Sequence, residues 1–293
     1  MTQNDIANPI FVRGMSRSGG TLLCTLLDAH PAVSFSFELY PALLLSPKEI
    51  DLKTLGNQMQ QTKSLKAAAA LAPTLKFQTF INRLPRGGLD AKDFGTVLVQ
   101  LSEETVTLDE ISGCLRAVQL CCELKQEREN TQRWGAKCNN AVDEYLGAFP
   151  EAQFVVILRD GRDVLASQQN TGAFKPDTVK IAQSWARLHT RFFQRQEAAP
   201  EQVLIIRYED LTANPIETTQ RLCDFLKLSY VDDMQTFYEK DLTVFKANHL
   251  SGARISSKID TTKIGRWREE LSPEDIKIFE DHAGAALAEW GYM

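Results

Sequence analysis

The sequence contains few cysteines and histidines, and neither type is spaced as a metal or redox site requires. Its 293 residues include six cysteines and four histidines. No two cysteines have the CxxC spacing of a zinc or dithiol site, and the histidines are scattered, so we expect no metal site. Because no cysteine pattern indicates disulfides, we expect reduced thiols, as in a cytoplasmic protein.

Long apolar runs and an excess of basic charge are also missing. Apolar stretches such as 42–45 and 67–72 are far shorter than the ~18 residues that a membrane-spanning helix needs. The first residues lack the basic and apolar regions of a secretory signal. We therefore expect a cytoplasmic protein without a membrane partner. The formal net charge of −5 argues against a nucleic-acid partner and requires any anion site to be built locally.

Short apolar runs alternate with helical patterns along most of the chain. Four runs are typical of strands, at 10–12, 33–37, 154–158 and 203–206. Helical patterns follow at about 20–29 and 175–196, at 214, where Asn214, Pro215 and Glu217 indicate a capping box, and at 272. This alternation predicts an α/β fold, with a parallel sheet of the P-loop type flanked by helices.

The stretch 41–133 interrupts this alternation. It contains helical runs at 64–71 and 115–129 and no strong strand pattern. We interpret residues 1–293 as a single domain, in which 41–133 is a helical insertion that forms the acceptor side; a purely structural cap is the alternative. A chain of this length buries roughly 75% of its extended surface, enough for a self-sufficient core.

The glycine-rich segment 14–21 gives the strongest functional signal, because it follows the first predicted strand and precedes a helix. Gly14, Gly19 and Thr21 match the pattern G-x-x-x-x-G-K-[ST], in which backbone amides and a helix N-terminus bind phosphate. Gly20 stands where that pattern has lysine, and Arg17 supplies a cation nearby. We predict a phosphate loop for an anion other than a nucleoside triphosphate tail; an ordinary glycine-rich turn is the alternative.

A second signal lies after the predicted strand 154–158. Arg159 stands where this strand ends, and Ser167 lies in the helix that follows. Ligands of open parallel sheets bind outside the carboxyl ends of the strands, so this guanidinium and this hydroxyl suit a second phosphate group. The alternative is an ion-pair cluster of Arg159 with Asp160, Arg162 and Asp163.

Together these segments resemble the sulfotransferases that use 3′-phosphoadenosine 5′-phosphosulfate. Beside Arg159–Ser167, the resemblance is carried by RSGGTLL at 17–23, DAHP at 28–31, FP at 149–150, RYEDL at 207–211 and GRW at 265–267. It covers both ends of the chain and leaves the insertion unmatched. The first loop and 28–31 are most similar to tyrosylprotein sulfotransferases and related bacterial enzymes.

The resemblance implies a role for individual residues. The 5′-phosphosulfate would be held by the first loop, namely Arg17, Ser18, Gly19, Gly20 and Thr21. The 3′-phosphate would be held by Arg159 and Ser167 and covered by a late segment with Ser256, Ser257, Lys258 and Arg266. Tyr208 would contact adenine, unless it is a core aromatic. Lys137 matches a lysine near the transferring group, although Cys138-Asn139 replaces the usual following pair, and Gly20 replaces a usual threonine.

Two residues are candidates for the general base. His30 lies at the end of the predicted helix 20–29, where a cation complements the helix dipole, so we interpret it as structural. Glu38 follows the strand pattern at 33–37, and we expect it at the same sheet edge as the phosphate loop. It matches the position of the catalytic glutamate in tyrosylprotein sulfotransferases, whereas a solvated carboxylate is the alternative.

The sequence thus leads us to expect a sulfotransferase whose catalytic residues are Glu38, Arg17 and Lys137. It would move a sulfuryl group in line from 3′-phosphoadenosine 5′-phosphosulfate to a hydroxyl, without a metal, and release adenosine 3′,5′-bisphosphate. A small molecule, carbohydrate, lipid or peptide tyrosine remains open as acceptor, and no feature indicates an oligomeric state. A P-loop kinase or nucleotide hydrolase and a non-catalytic nucleotide-binding protein are the alternative functions.

Overall fold

The computed structural model describes residues 8–138, 142–170, 176–242 and 257–293. Within these ranges five strands form the sheet: β1 (Ile10–Gly14), β2 (Val33–Ser36), β3 (Arg133–Lys137), β4 (Gln153–Leu158) and β5 (Val203–Arg207). Their order is β2-β3-β1-β4-β5, in a parallel sheet. The predicted α/β fold and its four predicted strands are confirmed.

Helices occupy most of the remaining described chain. They are α1 (Gly20–Asp28), α2 (Leu52–Gln60), α3 (Leu65–Ala70), α4 (Leu75–Arg83), α5 (Ala91–Glu103), α6 (Ile111–Glu129), α7 (Val142–Ala148), α8 (Gly161–Gln169), α9 (Thr178–Ala198), α10 (Tyr208–Ala213), α11 (Pro215–Leu226), α12 (Trp267–Glu270) and α13 (Pro273–Glu289). Short 3₁₀ turns lie at Pro41–Leu43, Leu84–Gly87, Asp232–Met234 and Phe237–Glu239.

The contacts divide the chain into two compact units. The first comprises Met1–Phe11, Cys24–Ala152 and Thr236–Ser256. The second comprises Val12–Leu23, Gln153–Gln235 and Ser257–Met293. In the first unit the stretch between β2 and β3 is helical, and its last helix, α6, packs on both of these strands. Whether this helical stretch binds the acceptor stays a prediction.

Strand β3 does not follow from the sequence patterns, although it carries Lys137 at its end. Its sequence, RWGAK, has no apolar run. Arg133 is buried because its guanidinium donates to the carbonyl of Asn8 at 2.9 and 2.6 Å. Gly135 leaves room for the Phe35 ring, which would lie 2.6 Å from a Cβ at that position. The strand is therefore buried by polar contacts and by close packing rather than by alternating apolar residues.

One of the two predicted helix starts in the carboxyl-terminal half forms differently from the prediction. Helix α13 begins as expected, with the Ser272 hydroxyl accepting the N–H of Asp275 at 3.1 Å. Helix α11 begins at Pro215, but the Asn214 side chain makes no capping hydrogen bond. The capping box with Glu217 is therefore wrong. Asn214, with φ −130° and ψ 64°, is both the residue after α10 and the residue before α11. Its backbone conformation therefore separates two adjoining helices.

The described helices include none that is long and apolar enough to cross a membrane. In the same part of the chain, no group of three or more histidine, cysteine, aspartate or glutamate residues is arranged to hold a metal ion. All six cysteines are buried and none forms a disulfide.

A buried ion pair joins three elements of the first unit. Lys125 of α6 is 1% exposed, and its Nζ lies 2.9 Å from Oδ1 of Asp28 at the end of α1. The same oxygen accepts the N–H of Phe35 in β2 at 2.8 Å. Burial raises the pKa of Asp28, and the Lys125 ammonium opposes that shift. This pair fixes the start of β2, the strand that leads to Glu38.

We expect Lys125→Ala to destabilise the protein severely, because it leaves the Asp28 carboxylate buried without its cation. Removing one partner of a buried pair costs about 3–5 kcal/mol, which urea denaturation followed by circular dichroism would measure. Lys277→Ala is the control, since Lys277 is 76% exposed and pairs with Asp281 on the surface; its midpoint should not move. Equal midpoints for both variants would contradict the structural role of the pair.

Candidate active site

The loop between β1 and α1 has the geometry of an anion-binding turn. Arg17 and Gly19 have positive φ angles of 75° and 96°, and α1 begins directly afterwards at Gly20. Alternation of left-handed and right-handed residues turns successive N–H groups toward one point, as in phosphate-binding nests. Gly14 cannot carry a side chain, because a Cβ there would lie 2.5 Å from Cγ2 of Ile157 in β4. Gly14 is thus required by close packing against β4, and Gly19 by its left-handed backbone.

Three of the predicted donor-binding residues meet at this loop in the second unit. The Nε of Arg17 donates to Oγ of Ser167 at 3.0 Å. The Nη1 of Arg159 donates to the carbonyl of Arg17 at 3.1 Å. Arg159 and Ser167 are 5% and 4% exposed. The end of β4 and helix α8 therefore hold the loop, as their position in the sequence predicts.

Two buried polar atoms beside this cluster have no hydrogen-bond partner among the residues that the structure describes. They are Oγ of Ser18 in the loop and Nε of Arg159. An unsatisfied buried polar group costs about 1–3 kcal/mol, so in a native protein it needs an explanation. Both atoms can donate to an anion. The residues present thus fit the phosphate groups that the resemblance implies.

Tyr208, at the start of α10, packs against the same cluster. It is 8% exposed, and its ring lies 4.5 Å from the Arg159 guanidinium carbon. A Cβ at Gly19 would lie 2.5 Å from the Tyr208 ring. Tyr208 therefore packs against the loop as a core aromatic does, and a contact with adenine stays a prediction.

The ion-pair alternative describes only part of the segment after β4. Arg162 forms the expected pair with Asp160, with Nη2 2.9 Å from Oδ2, and a second pair with Glu280 at 2.7 Å. Arg159 lies 3.6 Å from Asp163, yet its hydrogen bonds go to carbonyls of the loop and of Lys263. Arg162 is therefore structural, whereas Arg159 connects segments distant in sequence.

Whether the late segment covers the 3′-phosphate, as the resemblance implies, stays a prediction. Ser256 lies outside the described residues, and Ser257 and Lys258 are exposed. The Arg266 side chain pairs with Glu270, with Nε 2.6 Å from Oε2. In this part of the chain it is the carbonyl of Lys263 that reaches Arg159.

In the first unit, Glu38 is held by two cations. Its carboxylate pairs with Arg86 and with Lys137, whose Nζ lies 3.2 Å from Oε1. Its carbonyl accepts a hydrogen bond from Arg83 at 3.2 Å, and the Arg83 guanidinium lies 5.2 Å from the Tyr40 ring centroid. The side chain of Glu38 is 17% exposed. The alternative of a solvated strand-end carboxylate is therefore wrong.

The backbone explains why Arg86 lies beside Glu38. The N–H of Phe37 donates to the carbonyl of Arg86 at 3.0 Å, and Leu39 lies 2.5 Å from where a Cβ of Gly87 would be. Arg83 and Arg86 are missing from the sequence-based site. They lie 45 and 48 residues after Glu38, inside the insertion that matched no motif, so no local signal connects them with the carboxylate.

Two neighbours raise the pKa of Lys137. Burial alone would lower its pKa, but Tyr40 and the Glu38 carboxylate outweigh that effect and raise the pKa above the usual lysine value. The shift favours the charged form of Lys137, which can stabilise negative charge beside Glu38.

His30 is buried just after α1. It is 4% exposed, and its Nδ1 accepts the N–H of Ala32 at 3.1 Å. This hydrogen bond connects the ring to the turn between α1 and β2. A structural role for His30 stays our prediction.

Backbone strain distinguishes two of the predicted catalytic residues. Within the described ranges, five non-glycine residues have positive φ: Arg17, Glu38, Thr105, Asn130 and Lys227. The last three follow the ends of α5, α6 and α11, where a left-handed residue commonly ends a helix. Arg17 and Glu38 have no such explanation. Strained backbone of this kind clusters at functional sites.

Comparison with known proteins shows the family of this chain. Residues 9–233 match the model of the sulfotransferase family, so the chain belongs to that family. Among curated relatives, it is 24% identical over 293 residues to protein-tyrosine sulfotransferase A of Caenorhabditis elegans, covering 97% of this chain and 67% of that protein. A putative protein-tyrosine sulfotransferase of Caenorhabditis briggsae is 21% identical, with 94% of this chain and 85% of that protein covered.

Solved structures show the same fold. The sulfotransferase domain of the Synechococcus PCC 7002 olefin synthase matches with a TM-score of 0.60 at 19% identity, over 96% of this chain and 98% of that domain. The expectation of a sulfotransferase is confirmed, and with it the donor that the family uses, 3′-phosphoadenosine 5′-phosphosulfate. The kinase and nucleotide-hydrolase alternative is not favoured.

We expect adenosine 3′,5′-bisphosphate to raise the melting temperature far more than adenosine 5′-monophosphate at equal concentration. A ligand that binds only the native state stabilises it by mass action, and Arg159 with Ser167 would bind the extra phosphate. Differential scanning fluorimetry gives the comparison. Ser167→Ala should reduce the difference between the melting-temperature shifts that the two nucleotides cause. It should leave the shift with adenosine 5′-monophosphate unchanged. Equal shifts in the wild-type protein would contradict this assignment.

Proposed function

We propose that this sulfotransferase binds its donor through the loop 14–21, with Arg17 at the 5′-phosphosulfate and Arg159 and Ser167 at the 3′-phosphate. The observation that carries the proposal is the hydrogen-bonded cluster of these three residues beside the unsatisfied Ser18 hydroxyl. A donor with several negative charges needs concentrated cations in a chain of net charge −5. The bound donor would supply the sulfuryl group and a phosphate leaving group.

Glu38 is the proposed general base for the acceptor hydroxyl. Arg86 and Lys137 stabilise its ionised form, which is the form that accepts a proton. A positioned base and preorganised cations are the two contributions that an in-line transfer with a loose transition state requires. Arg86 would orient the carboxylate, and Lys137 and Arg17 would stabilise developing negative charge.

The acceptor is proposed to be a hydroxyl compound, and a tyrosine hydroxyl is the first candidate. Two curated relatives carry the name protein-tyrosine sulfotransferase, which supports this choice. Carbohydrate, lipid and small-molecule hydroxyls belong in the same acceptor screen with radiolabelled donor. A cytoplasmic location also stays a proposal.

Arg17→Ala should lower the donor-dependent transfer rate by about 10² or more, the scale for losing one preorganised charged donor. The initial rate with radiolabelled donor measures this loss. Arg187→Ala, at an exposed position of α9, is the matched control and should keep the wild-type rate. EDTA should not change the rate of either protein. A strict magnesium requirement would contradict the proposal and favour a kinase.

Glu38→Gln should keep the affinity for adenosine 3′,5′-bisphosphate and lose transfer by about 10²–10⁴-fold, the usual contribution of a general base. The substitution keeps the size of the side chain but removes its basicity. His30→Gln should retain transfer at saturating donor and lose mainly thermal stability. If a folded His30→Gln protein is inactive while Glu38→Gln transfers normally, histidine is the base and our assignment is wrong.

A further inference from the structure

Asp163 makes hydrogen bonds that its own helix does not need. Its side chain is 0% exposed in the first turn of α8, but Asp160 already caps that helix. Oδ2 of Asp163 accepts the N–H of Gly265 at 2.8 Å, and Oδ1 accepts the N–H of Trp267 at 3.0 Å. One buried carboxylate thus holds a turn that lies about a hundred residues further along the chain. Gly265, with φ 72°, gives the turn its shape.

The same carboxylate faces the side chain that we assign to the 3′-phosphate. Oδ2 of Asp163 lies 3.6 Å from Nη2 of Arg159. That nitrogen also donates to the carbonyl of Lys263, while Nη1 donates to the carbonyl of Arg17. Asp163 therefore fixes the Arg159 guanidinium and the segment 263–267 together, so that Nε of Arg159 stays without a partner among the described residues.

We propose that Asp163 is a positioning residue for donor binding, acting through Arg159 and through the backbone of segment 263–267. The proposal rests on the proposed function, because it takes Arg159 as a ligand of the 3′-phosphate. A buried guanidinium keeps one orientation only when its other contacts are satisfied. The carboxylate supplies the counter-charge for that orientation, although its negative charge by itself would repel a phosphate.

Asp163→Asn keeps the size of the side chain and removes its charge and one acceptor oxygen. We expect the dissociation constant of adenosine 3′,5′-bisphosphate and the KM of the donor to rise at least about tenfold, the scale of losing hydrogen bonds to a charged group. The KM of the acceptor should not change. Isothermal titration calorimetry and initial-rate kinetics measure these values.

Asp160→Asn is the matched control, since Asp160 is a second buried aspartate of the same turn and its carboxylate binds Arg162. It should lower the melting temperature and leave the donor KM unchanged. Hydrogen exchange of individual amides distinguishes a local positioning role from a general loss of stability. The amides of Gly265 and Trp267 should lose protection in Asp163→Asn and keep it in Asp160→Asn. If Asp163→Asn does not fold, Asp163→Ser, which still accepts one hydrogen bond, replaces it.

The outcomes separate this inference from the proposed function. If the wild-type protein does not prefer adenosine 3′,5′-bisphosphate over adenosine 5′-monophosphate, the donor site fails and Asp163 has no such role. If that preference exists and Asp163→Asn binds the bisphosphate as well as the wild type, only the role of Asp163 is overturned. Tighter binding by Asp163→Asn would overturn it too, because the carboxylate would then oppose the donor.

Discussion

The second unit depends on one buried guanidinium. Arg159 stands at the end of β4, donates to the phosphate loop through the carbonyl of Arg17, and donates to the carbonyl of Lys263. Its own carbonyl accepts the indole N–H of Trp185 at 2.9 Å. Burying a charge is costly unless hydrogen bonds and a counter-charge offset it, so separating the three segments would remove the contacts that stabilise buried Arg159. Burial of this cation thereby determines the path of the loop and of the chain near its carboxyl end.

The protein has a net negative charge, but it contains two local clusters of basic side chains. The two clusters differ in the groups that their side chains contact. Around Glu38, Arg86 and Lys137 pair with the carboxylate, and Arg83 donates to the backbone carbonyl of the same residue. Around the phosphate loop Arg17 donates to a hydroxyl and Arg159 donates to carbonyls, and Arg159 lies 3.6 Å from the Asp163 carboxylate. The first arrangement suits the polarisation of a hydroxyl, and the second suits a polyanion.

Local sequence patterns predict what local interactions determine. The loop 14–21, the strand that precedes it and the pairing of Arg159 with that loop follow from glycine spacing and strand ends. Strand β3 cannot be predicted from local patterns, because it depends on distant contacts. Arg133 donates to a carbonyl 125 residues away, and Gly135 packs against the ring of Phe35. Arg83 and Arg86 are missed for the same reason: their positions come from the folding of the insertion, which no periodicity encodes.

The left-handed backbone at Arg17 and Glu38 has a consequence for protein engineering. A glycine at either position would relieve backbone strain of about 1–3 kcal/mol, whereas at position 38 it would also remove the carboxylate that pairs with Arg86 and Lys137. Backbone strain and turnover are thus opposed at these two positions. A library screened for thermal tolerance should therefore keep Arg17 and Glu38 fixed. Natural homologues that retain both residues despite the strain would be those under selection for activity.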